Sequence, residues 1–229
     1  MTFVSCSSHK KLAYDFVNKT KGASVAFYVP EELKKQNVRK DCNINNPELF
    51  VMDEAQQRDT IEARTKIVNK INDDIFLDVM ITSFEKTLED YGLKLEYWEH
   101  DGIKPDSLHW IVDLSHVEIQ EYVTYSLSEC GVEGYAEFFP ITAVNVASWF
   151  GLMNDEESHF LYTEQDCEDY IAECYYTLDS LNNLVANIEC KRLTIDDFYN
   201  FAVVLGKLYA GYSYDFFMNE YVRKEMRRR

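Results

Sequence analysis

Glycine and proline are scarce, eight and four in 229 residues. That scarcity excludes collagen-like and loop-rich chains and argues against an architecture of many short strands. Long apolar runs are missing too. The longest, near Val144–Met153, is too short to cross a bilayer, so no membrane span is expected. The start, MTFVSCSSHKK, lacks a signal-peptide core and meets lysine at once. None of the six cysteines (Cys6, Cys42, Cys130, Cys167, Cys174, Cys190) stands in a C-x-x-C pair, which removes zinc-ribbon and thioredoxin readings. They read as small buried hydrophobes of a reducing, cytoplasmic protein. No G-x-S-x-G, P-loop, G-x-G-x-x-G or H-E-x-x-H is present. No catalytic residue, metal ligand set or cofactor is therefore assigned.

Basic residues are the most unevenly missing class. Residues 111–222 hold twenty Asp and Glu but only Lys191, Arg192 and Lys207, a charge of −17 that equals the net charge of the whole chain. Residues 1–50 sum to +3, residues 51–110 to −7 and residues 223–229 to +4. Aromatics are plentiful: 16 Tyr, 14 Phe and 3 Trp, enough for a sizeable core and too many for a disordered acidic chain.

Local patterns predict an α+β fold, read as one domain over residues 1–229 with a subdivision near 101–134 as the alternative. Thr2–Ser5 and Ala23–Val29 read as strands. Asn46-Pro47-Glu48 reads as a helix start. A long helix is expected over 60–91, capped by Asp59 with Glu62, buried through Ile67, Ile71, Ile75 and Val79, and closed by Gly92. Leu93–Trp98 and Leu108–Leu114 read as a hairpin around the turn residues at 101–106. With the amino-terminal strands, the 93–114 hairpin gives a small, mainly antiparallel sheet. The carboxy-terminal half reads as helical, over 116–130, 140–153, 163–190 and from Thr194 to the end. Tyr135–Phe139 reads as a short strand between them.

Three constellations bear on function. His109, Asp113 and His116 contain metal-ligand types, but as a strand followed by a helix start they lack a common face. On a helix from Glu164 to Cys190, the residues Glu164, Glu168, Asp169, Glu173 and Asp179 lie off the apolar stripe, next to the loop acids Asp155, Glu156 and Glu157. Like charges at i,i+4 repel by a few tenths of a kcal/mol. Tolerating several suggests that the field has a use, such as occupying the basic cleft of a nucleic-acid-binding partner. In the last helix Ala202, Gly206 and Ala210 recur every four residues, a strip that either packs centrally or joins two copies into a homo-oligomer.

These features predict a non-enzymatic acidic protein, an inhibitor or nucleic-acid decoy that binds a basic protein surface. Direct contact with nucleic acid is not expected. Richness in Asn, Lys, Ile and Tyr suits an AT-rich genome of viral or phage type. The alternatives are a carboxylate-based enzyme, with or without a divalent metal, and an assembly or scaffolding subunit.

Overall fold

The computed structural model describes residues 5–43, 45–96, 108–129, 136–154 and 158–228. The expected turn at 101–106, the glycines at 131 and 134, residues 2–4 and the acids Asp155, Glu156 and Glu157 lie outside them.

The fold is α+β. A helix α1 (Ser5–Thr20) leads into β1 (Ser24–Tyr28) and β2 (Lys34–Asn37). Two short helices, α2 (Pro47–Phe50) and α3 (Glu54–Arg64), precede α4 (Asp73–Asp90) and β3 (Lys94–Glu96). Two long strands follow, β4 (Leu108–Glu129) and β5 (Ala136–Met153). After them come β6 (Ser158–Glu168), β7 (Tyr170–Leu178), β8 (Leu184–Lys191) and the 33-residue α5 (Ile195–Arg227).

The main sheet runs β3-β1-β4-β5-β6, with β2 also pairing β4. It is mixed rather than mainly antiparallel. β3, β1 and β2 join it in parallel, and β4, β5 and β6 are antiparallel. The 93–114 hairpin does not form, because β1 lies between β3 and β4. β7 and β8 make a separate two-stranded sheet.

One face of the main sheet meets the helices. Val112, Leu114, Val117, Ile119, Val144, Val146, Phe150 and Leu152 are buried on it. The inward positions change from even to odd numbers along β4 because a bulge lies between Asp113 and His116. α4 and α5 cover this face. Phe76, Met80, Phe84 and Leu88 of α4 and Phe198, Leu205, Tyr209 and Phe217 of α5 are all buried in one cluster. α1 adds Phe16, whose ring packs against Trp110, Tyr214 and Tyr221.

Several local signals act as expected. Asn46 caps α2 ahead of Pro47, Thr194 and Asp197 form a capping box on α5, and Gly92 has a positive φ of 82°. Others are overridden. Residues 2–5 are not a strand where they are described, since Ser5 opens α1. The single helix over 60–91 is two helices, capped by Asp53 and by Asn72, with a 3-10 turn at Val68–Lys70 between them. Ile67 and Ile71 are buried in that connection, while Ile75 is 47% exposed. The helices expected over 116–130, 140–153 and 163–190 are strands β4 to β8. Pro140 fits within β5 because β6 reaches only to Ala143, so one edge of β5 is free of ladder bonds there.

Candidate interaction surface

Among the described residues no helix lies over the other face of the main sheet. The pairing of β4, β5 and β6 sets its residues in rows: His116–Trp149–Tyr162, Glu118–Ala147–Glu164, Gln120–Asn145–Asp166 and Tyr122–Ala143–Glu168. Gly151 and Phe160 extend the first end. Along β6 exposure alternates strictly, with Phe160, Tyr162, Glu164, Asp166 and Glu168 outward.

The middle strand contributes small side chains, Ala143, Asn145 and Ala147, and its neighbours contribute large ones. The result is a trough two strand spacings wide, about 10 Å. Glu118 and Glu164 wall it on opposite sides of Ala147. Glu118 accepts from Gln36 and from Gln120 (3.0 Å) and pairs with Lys34 at 3.2 Å. The Gln120 hydrogen bond, outweighing burial and helped by Lys34, holds its carboxyl below the usual range. Glu164 accepts from the Tyr162 hydroxyl, and this hydrogen bond is the main reason the phenol is pushed up to about 12. Farther along, Tyr122 Oη and Asn145 Nδ2 each donate to Asp166 Oδ1 at 3.0 Å and close the trough. Burial, then the Asp166 carboxylate, pushes the Tyr122 phenol up to about 12.

At the open end the aromatics form a band. Trp149 lies between His116 and Tyr162, with ring centroids 5.2 and 4.8 Å away. Phe160 is 79% exposed and Tyr162 is 51% exposed. Trp149, Tyr162 and Phe160 thus form an exposed aromatic strip beside Glu164.

The expected acidic helix does not exist, and its residues disperse. Glu164 and Glu168 stay together on β6. Asp169 leaves the surface: its carboxylate is buried and accepts from Thr142 N, Leu193 N and Arg192 Nη1, each at 2.8 Å. Glu173 sits on β7 and Asp179 in the β7–β8 turn, where it accepts from Leu181 N and Asn183 N. Helical spacing missed Asp166, Glu118 and the aromatic band. The signal that finds Asp166 is the i,i+2 repeat Glu164-Asp166-Glu168.

The small-residue strip of α5 is filled within the chain. Ala202, Gly206 and Ala210 are buried, and a Cβ on Gly206 would collide with the Met80 carbonyl and lie 2.9 Å from Ser83 Cβ. α4 is thus the helix that approaches closely.

Asp113 and His116 lie on β4 on either side of the bulge, and the His109 side chain is outside the described set. Among the described residues no three His, Cys, Asp or Glu side chains are grouped so as to hold a metal ion. Cys42, Cys167 and Cys190 carry free thiols, whereas Cys174 is disulfide-bonded, against the expectation of reduced cysteines throughout. Burial, aided by Asp197 and Glu168, pushes the Cys167 thiol up to about 11, so it stays protonated and inert. No described helix is long and apolar enough to cross a membrane.

Comparison of the chain with protein-family models and with curated proteins gives no match.

Proposed function

We propose that this chain is a non-enzymatic interaction protein that docks a basic surface of a nucleic-acid-binding partner on the open face of its sheet, as an inhibitor or a stand-in for nucleic acid. The observation that carries this reading is the row Glu118–Ala147–Glu164 beside the aromatic row His116–Trp149–Tyr162. An arginine entering beside Ala147 meets the exposed Glu164 carboxylate, with aromatic rings one row away, while Glu118 on the other side is buried and paired with Lys34. Charge-assisted hydrogen bonds and cation–π contacts both favour guanidinium there. The surrounding field, from a segment of charge −17, steers such a partner toward the face.

The test is the double charge reversal Glu164→Lys/Glu168→Lys, in side chains that are exposed and outside the core. Partners captured from the native host by the wild-type chain are expected to bind DNA or RNA themselves and to be displaced by duplex nucleic acid. Binding to the double variant should weaken at least ten-fold, mainly in association rate, and the wild-type complex should loosen as salt rises. A partner that holds the variant equally well and ignores salt would sink the reading.

The assembly alternative has one observation in its favour. The β7–β8 ribbon leaves Tyr170, Leu178, Leu181 and Leu184 at least half exposed, and a lone two-stranded ribbon is marginal in water. Removing those side chains should abolish assembly while leaving binding to a basic partner intact.

A further inference from the structure

On the helix-covered side, beyond the reach of α4 and α5, lies a cleft of about 480 Å³ whose walls carry charge opposite to that of the chain. Arg39, Lys40, Lys66 and Arg192 line it, with Asp41 as the one acid among the described lining residues. Its floor is β4 and β5, through Val123, Tyr125, Pro140 and Thr142. Two buried carboxylates lie behind, Glu121 and Asp169.

The plain explanation for four cations is neutralisation of those two acids. It covers only half of them. Glu121 is held by the backbone N–H groups of Lys66, Ile67 and Val68 and by Arg39, 3.8 Å away. Asp169 is held by two backbone N–H groups and Arg192. Neither lysine ammonium takes part. Lys66 Nζ donates to Thr142 Oγ1 at 3.0 Å and keeps two protons to give. Lys40 is exposed, and its ammonium has no ion pair among the described residues. Arg192 uses one nitrogen on Asp169, and its side chain is 60% exposed. Arg39 Nη1 is buried and makes no hydrogen bond among the described residues.

Thr142 ties the arrangement together. Its hydroxyl receives Lys66, and its backbone N–H donates to Asp169, which fixes Arg192. Two cations from distant parts of the sequence thus converge on either side of one floor residue: Lys66 through a neutral hydroxyl that leaves its charge uncompensated, and Arg192 through an ion pair that leaves its other nitrogens free to donate. The Tyr125 ring, exposed at the mouth, is free to stack on a flat group.

We propose that this cleft binds a nucleoside phosphate, with the phosphoryl oxygens between Lys66 and Arg192 and the base against Tyr125. The volume suits such a ligand, since small-molecule sites run from about 300 to 1,000 Å³. Convergent lysine and arginine donors are what phosphate oxygens require. The floor residues lie on the side of the sheet opposite the acidic face, and Tyr122, which closes the trough, also borders the cleft.

Calorimetric titration at low salt with ADP, inorganic pyrophosphate and adenosine tests it. ADP and pyrophosphate are expected to bind and to displace one another, ADP the more tightly, and adenosine is expected not to bind alone. Lys66→Gln and the double Lys40→Gln/Lys66→Gln should weaken ADP binding at least ten-fold. Both lysines are solvent-facing, so unchanged circular dichroism and thermal midpoint will show that the fold is kept. Tyr125→Ala should weaken ADP but not pyrophosphate. No binding of ADP or pyrophosphate at millimolar concentration overturns the proposal. So does binding that the lysine variants leave unchanged. Pyrophosphate binding as tightly as ADP overturns the nucleoside part.

Discussion

The buried carboxylate of Glu121 and the backbone N–H of Ile67 meet at 2.8 Å, and the same carboxylate takes the N–H groups of Lys66 and Val68. Three donors that a continuous helix would have used internally are thus given to a strand residue 54 positions away. The helix stops at Arg64 and restarts at Asp73. Glu121→Ala leaves those donors unsatisfied and Arg39 without its buried partner, and should cost about 3–5 kcal/mol. Glu121→Gln keeps an acceptor and should cost less. Urea unfolding of the two variants checks the order.

Gly206→Ala puts a methyl into the Met80 carbonyl, with Ser83 and Phe84 N as the next neighbours. Backbone cannot yield as a flexible side chain does, so α4 and α5 must separate. A loss of about 3 kcal/mol or more is expected, at or beyond the upper end of overpacking costs. A thermal midpoint within a degree of wild type would show that the helix pair is looser than this contact implies.

Ser148 and Tyr209 share a buried hydrogen bond of 2.6 Å between sheet and helix. Burial pushes the Tyr209 phenol up to about 12, so it stays neutral. Tyr209→Phe strands the serine hydroxyl and should cost about 1–3 kcal/mol. Ser148→Ala strands the phenol in the same way. The double variant should lose less than the sum, with a coupling of about 1 kcal/mol in a double-mutant cycle.

Asp169 makes stability pH-dependent. Burial alone would raise its carboxyl, but the N–H groups of Leu193 and Thr142 and the Arg192 guanidinium outweigh it and hold the group below its ordinary value. Its stabilising effect is therefore complete above the unfolded value of about 3.9 and is lost as pH falls through the folded value. Asp169→Asn should lower stability at neutral pH and flatten the acid limb of the stability curve. Denaturant midpoints from pH 7 down to pH 3 measure both.

Legibility along the chain follows the range of the interactions involved. Caps are local, so Asn46-Pro47, Thr194 with Asp197 and Gly92 could be read directly. α5 was readable too, from its capping box and the four-residue repeat of Ala202, Gly206 and Ala210, although its apolar residues surround the helix rather than form a stripe. The segment 115–130 misled for two reasons. Ser115-x-x-Glu118 imitates a capping box, and a glutamate at 121 interrupts the alternation Val117, Ile119, Val123. Only the donors of Lys66 to Val68 make an inward Glu121 tolerable, and nothing near it in sequence announces them. The bulge after Asp113 shifts the alternation once more. In 163–190 the spacing of Cys167, Ile171, Cys174, Leu178 and Val185 fits a helix by coincidence; on β6, β7 and β8 all of these positions are partly or fully exposed.

By itself the sequence determined the uneven field, the α+β class, the caps and the long final helix, because charge and local hydrogen bonding are carried by neighbouring residues. The tertiary structure alone decided which acids stay at the surface and which become internal anchors. Glu164 and Glu168 face outward because β6 pairs with β5 in one register, and Asp169, the next residue after that strand, turns inward to Thr142 and Leu193. The same pairing aligned Glu118 with Glu164 across Ala147, and set Lys66 and Arg192 on either side of Thr142. Such juxtapositions depend on strand register, and register is a contest among distant segments for buried backbone donors and apolar contacts.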